Sequence, residues 1–283
     1  MSERPATSHP DAYRLGAVVY HPKVEQIWAL FGEWFADQGL PLEVVYFDDY
    51  PAQVAALMAG ELDTAWNTNL AHIQVLEQVP DADALAMRDT DRGWLSHLVV
   101  RADSSYARLA DLEGARVGFG DADSPQAQIL PAHALRAQGV DPESFFIASR
   151  LDRDVGKHGD TGGAELAQLA RVRAAELDAS VVSSVVLDAV SRLGDAADLR
   201  TVWTSPPFHH CCFTVLPGAR DARAERFVEL LLGMDAADPK LCEPMELEYV
   251  NSWVAFDPSG YGDLIAAVRA GPIVVGADAV AAG

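Results

Sequence analysis

Apolar residues recur along this chain with two periods, and the periods alternate. "YRLGAVVY" (13–20) is a β-branched run closed by His21-Pro22, so it reads as a strand and then a loop. In "KVEQIWALFGEWFADQG", Val24, Ile27, Trp28, Phe31 and Phe35 recur at helical spacing and Gly39 stops the run. "LEVVYF" is the next strand, "YPAQVAALMAGELD" a second helix, and "TAWNTN" a short strand ending in polar residues. Such alternation predicts βαβ units and a mostly parallel sheet. Further on, "LSHLVVRAD" and "ARVGFG" read as strands, followed by a helix with Ser124 at its N-cap and Pro125 at its first position. "AELAQLARVRAAELDAS" is amphipathic, "VVSSVVLDAVSRLG" runs from strand into helix, and "TVWTS" and "HHCCFTVLP" are strands. "ARAERFVELLLGM" and "YGDLIAAVRA" are closing helices. Residues 1–11 and 276–283 carry no such pattern and are expected to be flexible tails.

Composition narrows the partners. Of 283 residues, 49% are hydrophobic, enough for one sizeable core or two smaller ones. The 42 acidic residues against 21 basic ones leave a net charge of −21, which repels nucleic acid and anionic lipid. No apolar stretch approaches the roughly 20 residues of a membrane span, so membrane insertion is not expected. The N-terminus lacks the basic start and apolar run of a secretory signal. Cys211, Cys212 and Cys242 form an odd set in which neighbours pair poorly. Both points lead to an expected cytoplasmic location with free thiols. Nothing in the sequence sets the oligomeric state.

Three stretches carry a family resemblance. "LMAGELDTAWNTN", "RADSSYARLADLEGARVGFGDADSPQAQILPAHALRAQGV" and "VRAAELDASVVSSVVLDAV" together resemble the phosphonate-binding branch of the type II periplasmic solute-binding proteins. The likeness spans roughly residues 13 to 270. It implies a two-lobed α/β fold with two crossover hinge strands: lobe 1 from 12–100 and 212–275, lobe 2 from 101–211. It also implies that a small-molecule ligand meets carboxyl ends of strands and helix N-termini. The residues in those positions are Tyr20, His21, Asn67, Thr68, Asn69, Asp123, Ser124, Gln126, Lys157 and Thr161.

Two departures from that family pull the other way. Its phosphonate-binding members place a Ser/Thr-rich turn after the "GFGD" segment, whereas this chain reads Asp123-Ser124-Pro125-Gln126. Pro125 removes a backbone donor, and Asp123 sets negative charge where an oxyanion would want none. The loop "GKHGDTGG" adds His158 and Asp160 among glycines that permit close backbone approach. "SPPFHHCCFTVLPG" then sets His209, His210, Cys211 and Cys212 in a row. "HHCCF" loosely resembles the cysteine-rich, iron-associated strand of the pyrimidine synthases of thiamine biosynthesis, which share the binding-protein fold. In a strand, His210 and Cys212 would share one face, and His209 and Cys211 the other. Imidazole and thiolate suit Fe, Zn or Cu. The expected ligands are His158, Asp160, His210, Cys211 and Cys212, with Glu165 one turn further on; the alternative for the cysteines is plain core packing. The expectation is therefore a biosynthetic, metal-dependent enzyme acting on a small polar metabolite by lyase or oxidative chemistry, with Fe foremost and His158, Asp160 and His210 catalytic. The alternative is an oxyanion-binding protein of an ABC transporter, or a cytoplasmic sensor, without catalysis.

Overall fold

The computed structural model describes residues 12–194 and 196–271, so the expected tails at 1–11 and 276–283 lie outside the described residues. In chain order the first elements are β1 (Tyr13–Val18), α1 (Lys23–Asp37), β2 (Leu42–Phe47), α2 (Tyr50–Met58), β3 (Thr64–Asn67), α3 (Asn69–Gln78), β4 (Asp83–Ala84) and β5 (Ala86–Arg88). Then come β6 (Ser96–Arg101), β7 (Arg116–Gly118), α4 (Leu130–Ala137), α5 (Pro142–Phe145), β8 (Ile147–Ser149), α6 (Gly163–Arg173), β9 (Ala179–Ser183), α7 (Ser184–Arg192) and β10 (Leu199–Thr204). The chain closes with β11 (Cys212–Val215), α8 (Ala222–Leu232), α9 (Cys242–Leu247), β12 (Trp253–Ala255) and α10 (Gly262–Ala270).

These elements form two compact units. The first runs to Arg92 and resumes over His210–Asp257; the second is Gly93–His209 with the stretch from Pro258 onward. The sequence reading put the boundaries near residues 100 and 211 and gave the closing helix to the first lobe. The pairing explains the difference. β6 hydrogen-bonds to β9 and β10, which carries residues 96–101 into the second unit. α10 packs on α4 of that unit.

In the first unit a five-stranded sheet has the order β2-β1-β3-β11-β4. β1 runs parallel to β2 and β3, while β11 returns antiparallel to β3 and β4. One face packs the aromatic stripe of α1 (Trp28, Phe31, Phe35) against Trp66, Phe213, Phe227 and Trp253. Each of these rings removes a large apolar area from water, so this face dominates the unit's stabilisation. In the second unit the order is β10-β6-β9-β7-β8, again mixing parallel and antiparallel pairs. Among the described residues no helix is long and apolar enough to cross a membrane.

Candidate functional site

In the second unit, the loop after β7 enters a helix at Ser124, whose Oγ accepts from Ala127 N–H at 3.2 Å. The first turn, Pro125–Ile129, is widened, with Ile129 N–H reaching Ser124 O at 3.0 Å. Pro131 explains part of this geometry: it has no N–H to offer the carbonyl of Ala127 one turn earlier. Gly120 N–H takes that carbonyl instead, at 3.0 Å, which ties the "GFGD" loop to the helix. A Cβ on Gly120 would lie 2.5 Å from the Ala127 Cβ, so only glycine fits.

The expected Asp123, Ser124 and Gln126 are all buried at this turn, joined by Asp121. Asp121 Oδ1 accepts from the backbone N–H of Arg153 at 2.7 Å, and Asp123 Oδ2 from that of Gly156 at 2.5 Å. The two carboxylates therefore order the 152–156 loop, a task the sequence did not reveal. Gln126 Nε2 donates to Gly159 O at 3.1 Å and lies 3.4 Å from Glu165 Oε1. Gly159 has φ +76°, and a Cβ there would meet Ser124 Oγ at 2.4 Å. That close approach brings the "GKHGDTGG" loop onto the helix start. His158, at φ 51°, is buried in the loop, whereas Lys157 and Asp160 are half-buried. Thr161 Oγ1 donates to Asp154 Oδ2 at 2.9 Å, so its side chain closes the loop on itself. A small pocket here is lined by Gly120, Asp121, Ser124, Gly159 and Glu165. Burial pushes Asp123 up to about 6, with Asp121 adding to the rise against the Gly156 N–H. Burial likewise pushes Glu165 up to about 7 despite hydrogen bonds from Ser183 and Gln126.

In the first unit, β3 ends in Asn67 and Thr68 caps α3, its Oγ1 accepting from Ala71 N–H at 3.2 Å. Asn67, Thr68 and Asn69 are all buried. The amide of Asn67 is engaged on both sides: Gln53 Nε2 donates to its Oδ1 at 2.8 Å, and its Nδ2 donates to Thr214 Oγ1 at 2.9 Å. His72 Nδ1 meets the same Thr214 hydroxyl at 3.1 Å. Gln53 and Thr214 thus hold the β3–α3 turn from behind. Tyr20 and His21 follow β1, and His21 Nδ1 accepts from Lys23 N–H at 3.1 Å as α1 begins.

The His-Cys row does not behave as a strand until Cys212, so the expected alternation of faces fails at His210 and Cys211. His209 belongs to the second unit, where its N–H donates to Gly260 O at 3.1 Å. His210 and Cys211 turn to the same side instead, with Cys211 Sγ 3.0 Å from His210 Nδ1. Asp91 Oδ1 lies 3.7 Å from that same nitrogen. One ligand atom each from Asp91, His210 and Cys211 lies within 4.8 Å of the other two, and all three residues are buried. Cys212 pairs with Asn67 across the β3–β11 ladder and is outside this group; His158 and Asp160 belong to the second unit. Arg88 holds Asp91 bidentately, Nε to Oδ2 at 2.6 Å and Nη2 to Oδ1 at 2.8 Å, and also donates to Glu248 Oε1 at 3.0 Å. Its guanidinium sits 5.2 Å from the Trp66 ring centroid. Burial holds the His210 imidazole down at about 4, overriding Asp91, so it is neutral at neutral pH.

The match to known proteins decides between the two functional expectations. A family described as "ABC transporter, phosphonate, periplasmic substrate-binding protein" matches residues 18–261. The chain belongs to this family. A probable ABC transporter phosphite-binding protein, PhnD1 of Prochlorococcus marinus, is 24% identical over 216 residues, covering 72% of this chain and 69% of that protein. The crystal structure of PhnD1 with methylphosphonate overlays with a TM-score of 0.71 at 17% identity, covering 93% of this chain and 98% of that one. XAC2383 of Xanthomonas citri, bound to ATP, gives 0.70 at 21%, covering 92% and 98%. These overlays show a fold shared with two-lobed binding proteins. Membership of a substrate-binding family overturns the expected metal-dependent biosynthetic enzyme, and a periplasmic family overturns the expected cytoplasmic location. The likeness of "HHCCF" to the iron-associated strand gains no support from these findings.

Proposed function

We propose that this chain is the substrate-binding component of an ABC transporter, working outside the cytoplasmic membrane, for a small phosphonate or related oxyanion. The observation that carries the reading is the Ser124 helix start, within a chain that the family matches over 18–261. At this start Pro125 has no N–H and Ser124 Oγ takes that of Ala127, so the positive end of the helix dipole is what it offers an anion. Thr68 at the start of α3 offers a second terminus of the same kind in the first unit. PhnD1 was solved with methylphosphonate, which supports the ligand class. Of the expected ligand-contacting residues, Tyr20, His21, Thr68, Asn69, Ser124, Gln126 and Lys157 are kept, and Thr161, whose hydroxyl is given to Asp154, is set aside. Asn67 and Asp123 support the two turns.

Calorimetry with methylphosphonate, phosphite, phosphate, methanesulfonate and ATP tests the reading. At least one phosphorus oxyanion should bind with one-to-one stoichiometry, and Ser124→Ala should weaken it. A folded, ligand-free protein that ignores methylphosphonate, phosphite and phosphate sinks the proposal.

A further inference from the structure

The buried group in the first unit uses none of the residues assigned to the oxyanion, although Cys212, next in the chain to Cys211, pairs with Asn67 just before the α3 start. We propose that Asp91, His210 and Cys211 form a site for a single borderline-to-soft divalent transition metal ion, with Zn2+ the ion that fits best. The three candidate donors are an imidazole nitrogen, a thiol sulfur and a carboxylate oxygen, all buried and within 4.8 Å of one another. That mixture suits Zn2+, which takes N, S and O ligands and tolerates three protein ligands with a fourth position open.

Cys211 Sγ, at 3.0 Å, and Asp91 Oδ1, at 3.7 Å, both approach His210 Nδ1. Cys211 and Nδ1 share a hydrogen bond with Asp91 Oδ1 beside it, so an ion replacing the shared proton would find all three donors on one side. Adjacent residues can converge in this way because β11 starts only at Cys212.

The guanidinium of Arg88 opposes a cation by simple charge, so its role has to be accounted for. It is fully committed to Asp91 and Glu248. Its two hydrogen bonds to Asp91 fix the carboxylate plane and leave lone pairs on both oxygens for a further contact. Orienting a ligand from behind is the usual work of a metal's outer shell. Metal binding releases the Cys211 thiol proton to solvent; the resulting thiolate is stabilised by the ion and by Arg88, with no change of oxidation state.

The test uses full-length reduced protein with its purification tag removed and metal stripped by chelator. Zn2+ should bind at one equivalent and raise the melting temperature. Co2+, used as a spectroscopic stand-in, should give a sulfur-to-metal charge-transfer band. Cys211→Ser should abolish that band and weaken Zn2+ at least by the roughly 10–100-fold that even outer-shell losses cost. Cys242→Ser, at an exposed thiol, and Cys212→Ala should keep the band. Should Cys211→Ser fail to fold, a band kept in both control variants still assigns the sulfur to Cys211. A wild type that binds neither ion, Co2+ binding with no thiolate band, or a band that survives Cys211→Ser overturns the proposal. Oxyanion calorimetry on the metal-stripped protein reads the transport proposal separately, so failure of one leaves the other standing.

Discussion

Glu165 shows how a single buried side chain sets a pH dependence. It lies in the first turn of α6 and accepts from Ser183 N–H at 2.6 Å, where β9 gives way to α7. Burial raises its carboxyl from 4.5 to about 7. The folded state therefore holds this proton more tightly than the unfolded chain does. Between about 4.5 and about 7 the native state binds more protons, so this group's contribution to stability falls as pH rises through that window. Below the window both states are protonated and the group is neutral in its effect. Above it the penalty is complete, on the order of 3 kcal/mol. Glu165→Gln keeps an oxygen for the Ser183 N–H and removes the charge. The variant should match wild type near pH 4.5 and exceed it by about 2–3 kcal/mol at pH 8. Urea unfolding at three pH values measures this, and a difference that stays constant with pH would contradict it.

At the scale of elements, the short pair β5 and β12 matters more than its length suggests. β5 ends in Arg88, and the turn Asp89–Asp91 brings Asp91 back onto that guanidinium. α9 supplies the other wall, its C-cap Glu248 accepting from Arg88. Removing one partner from a buried charge network leaves the others uncompensated, at a cost of about 3–5 kcal/mol. Arg88→Met should therefore lower unfolding free energy by about that amount, while an exposed pair such as Arg226–Glu229 should contribute under about 1 kcal/mol. Chemical denaturation of Arg88→Met and Arg226→Met makes the comparison; equal effects would refute it. None of this network was legible in the sequence. β5 and β12 are three residues each, too short for a periodic signal. Asp91 and His210 are separated along the chain by nearly the whole second unit. Longer elements were plain: α1 shows its buried stripe at Val24, Ile27, Trp28, Phe31 and Phe35, and Ser124 caps its helix as its residue type predicts. The expected metal ligand set, drawn from residue type and the positions the family resemblance implies, joined His158 and Asp160 to His210, but polarity and contiguity do not report which residues fold into one unit.

For the molecule as a whole, the family resemblance carried the fold, while the His-Cys row and the acidic residue before Ser124 pointed the function the wrong way. Local polar residues were weighed as chemistry when some are scaffold: Asp123 holds a loop, helped by an Asp121 that the sequence reading did not single out, and Asn67 holds a turn. The net charge of −21 is a property no single site explains, and it bears on how an anion arrives. At roughly 0.01 M salt the Debye length is about 30 Å, so an approaching oxyanion meets the repulsion of the whole surface. At roughly 0.1 M it shrinks to about 10 Å, and the local field of the helix starts and Lys157 counts for more. Association of methylphosphonate should therefore quicken as ionic strength rises, the reverse of a site whose surroundings attract its ligand. Stopped-flow measurement over a salt series, with a salt whose anion gives no calorimetric signal with this protein, reads the rate directly. If the rate falls with added salt, the field at the entrance is positive and the acidic surface plays no part in ligand capture.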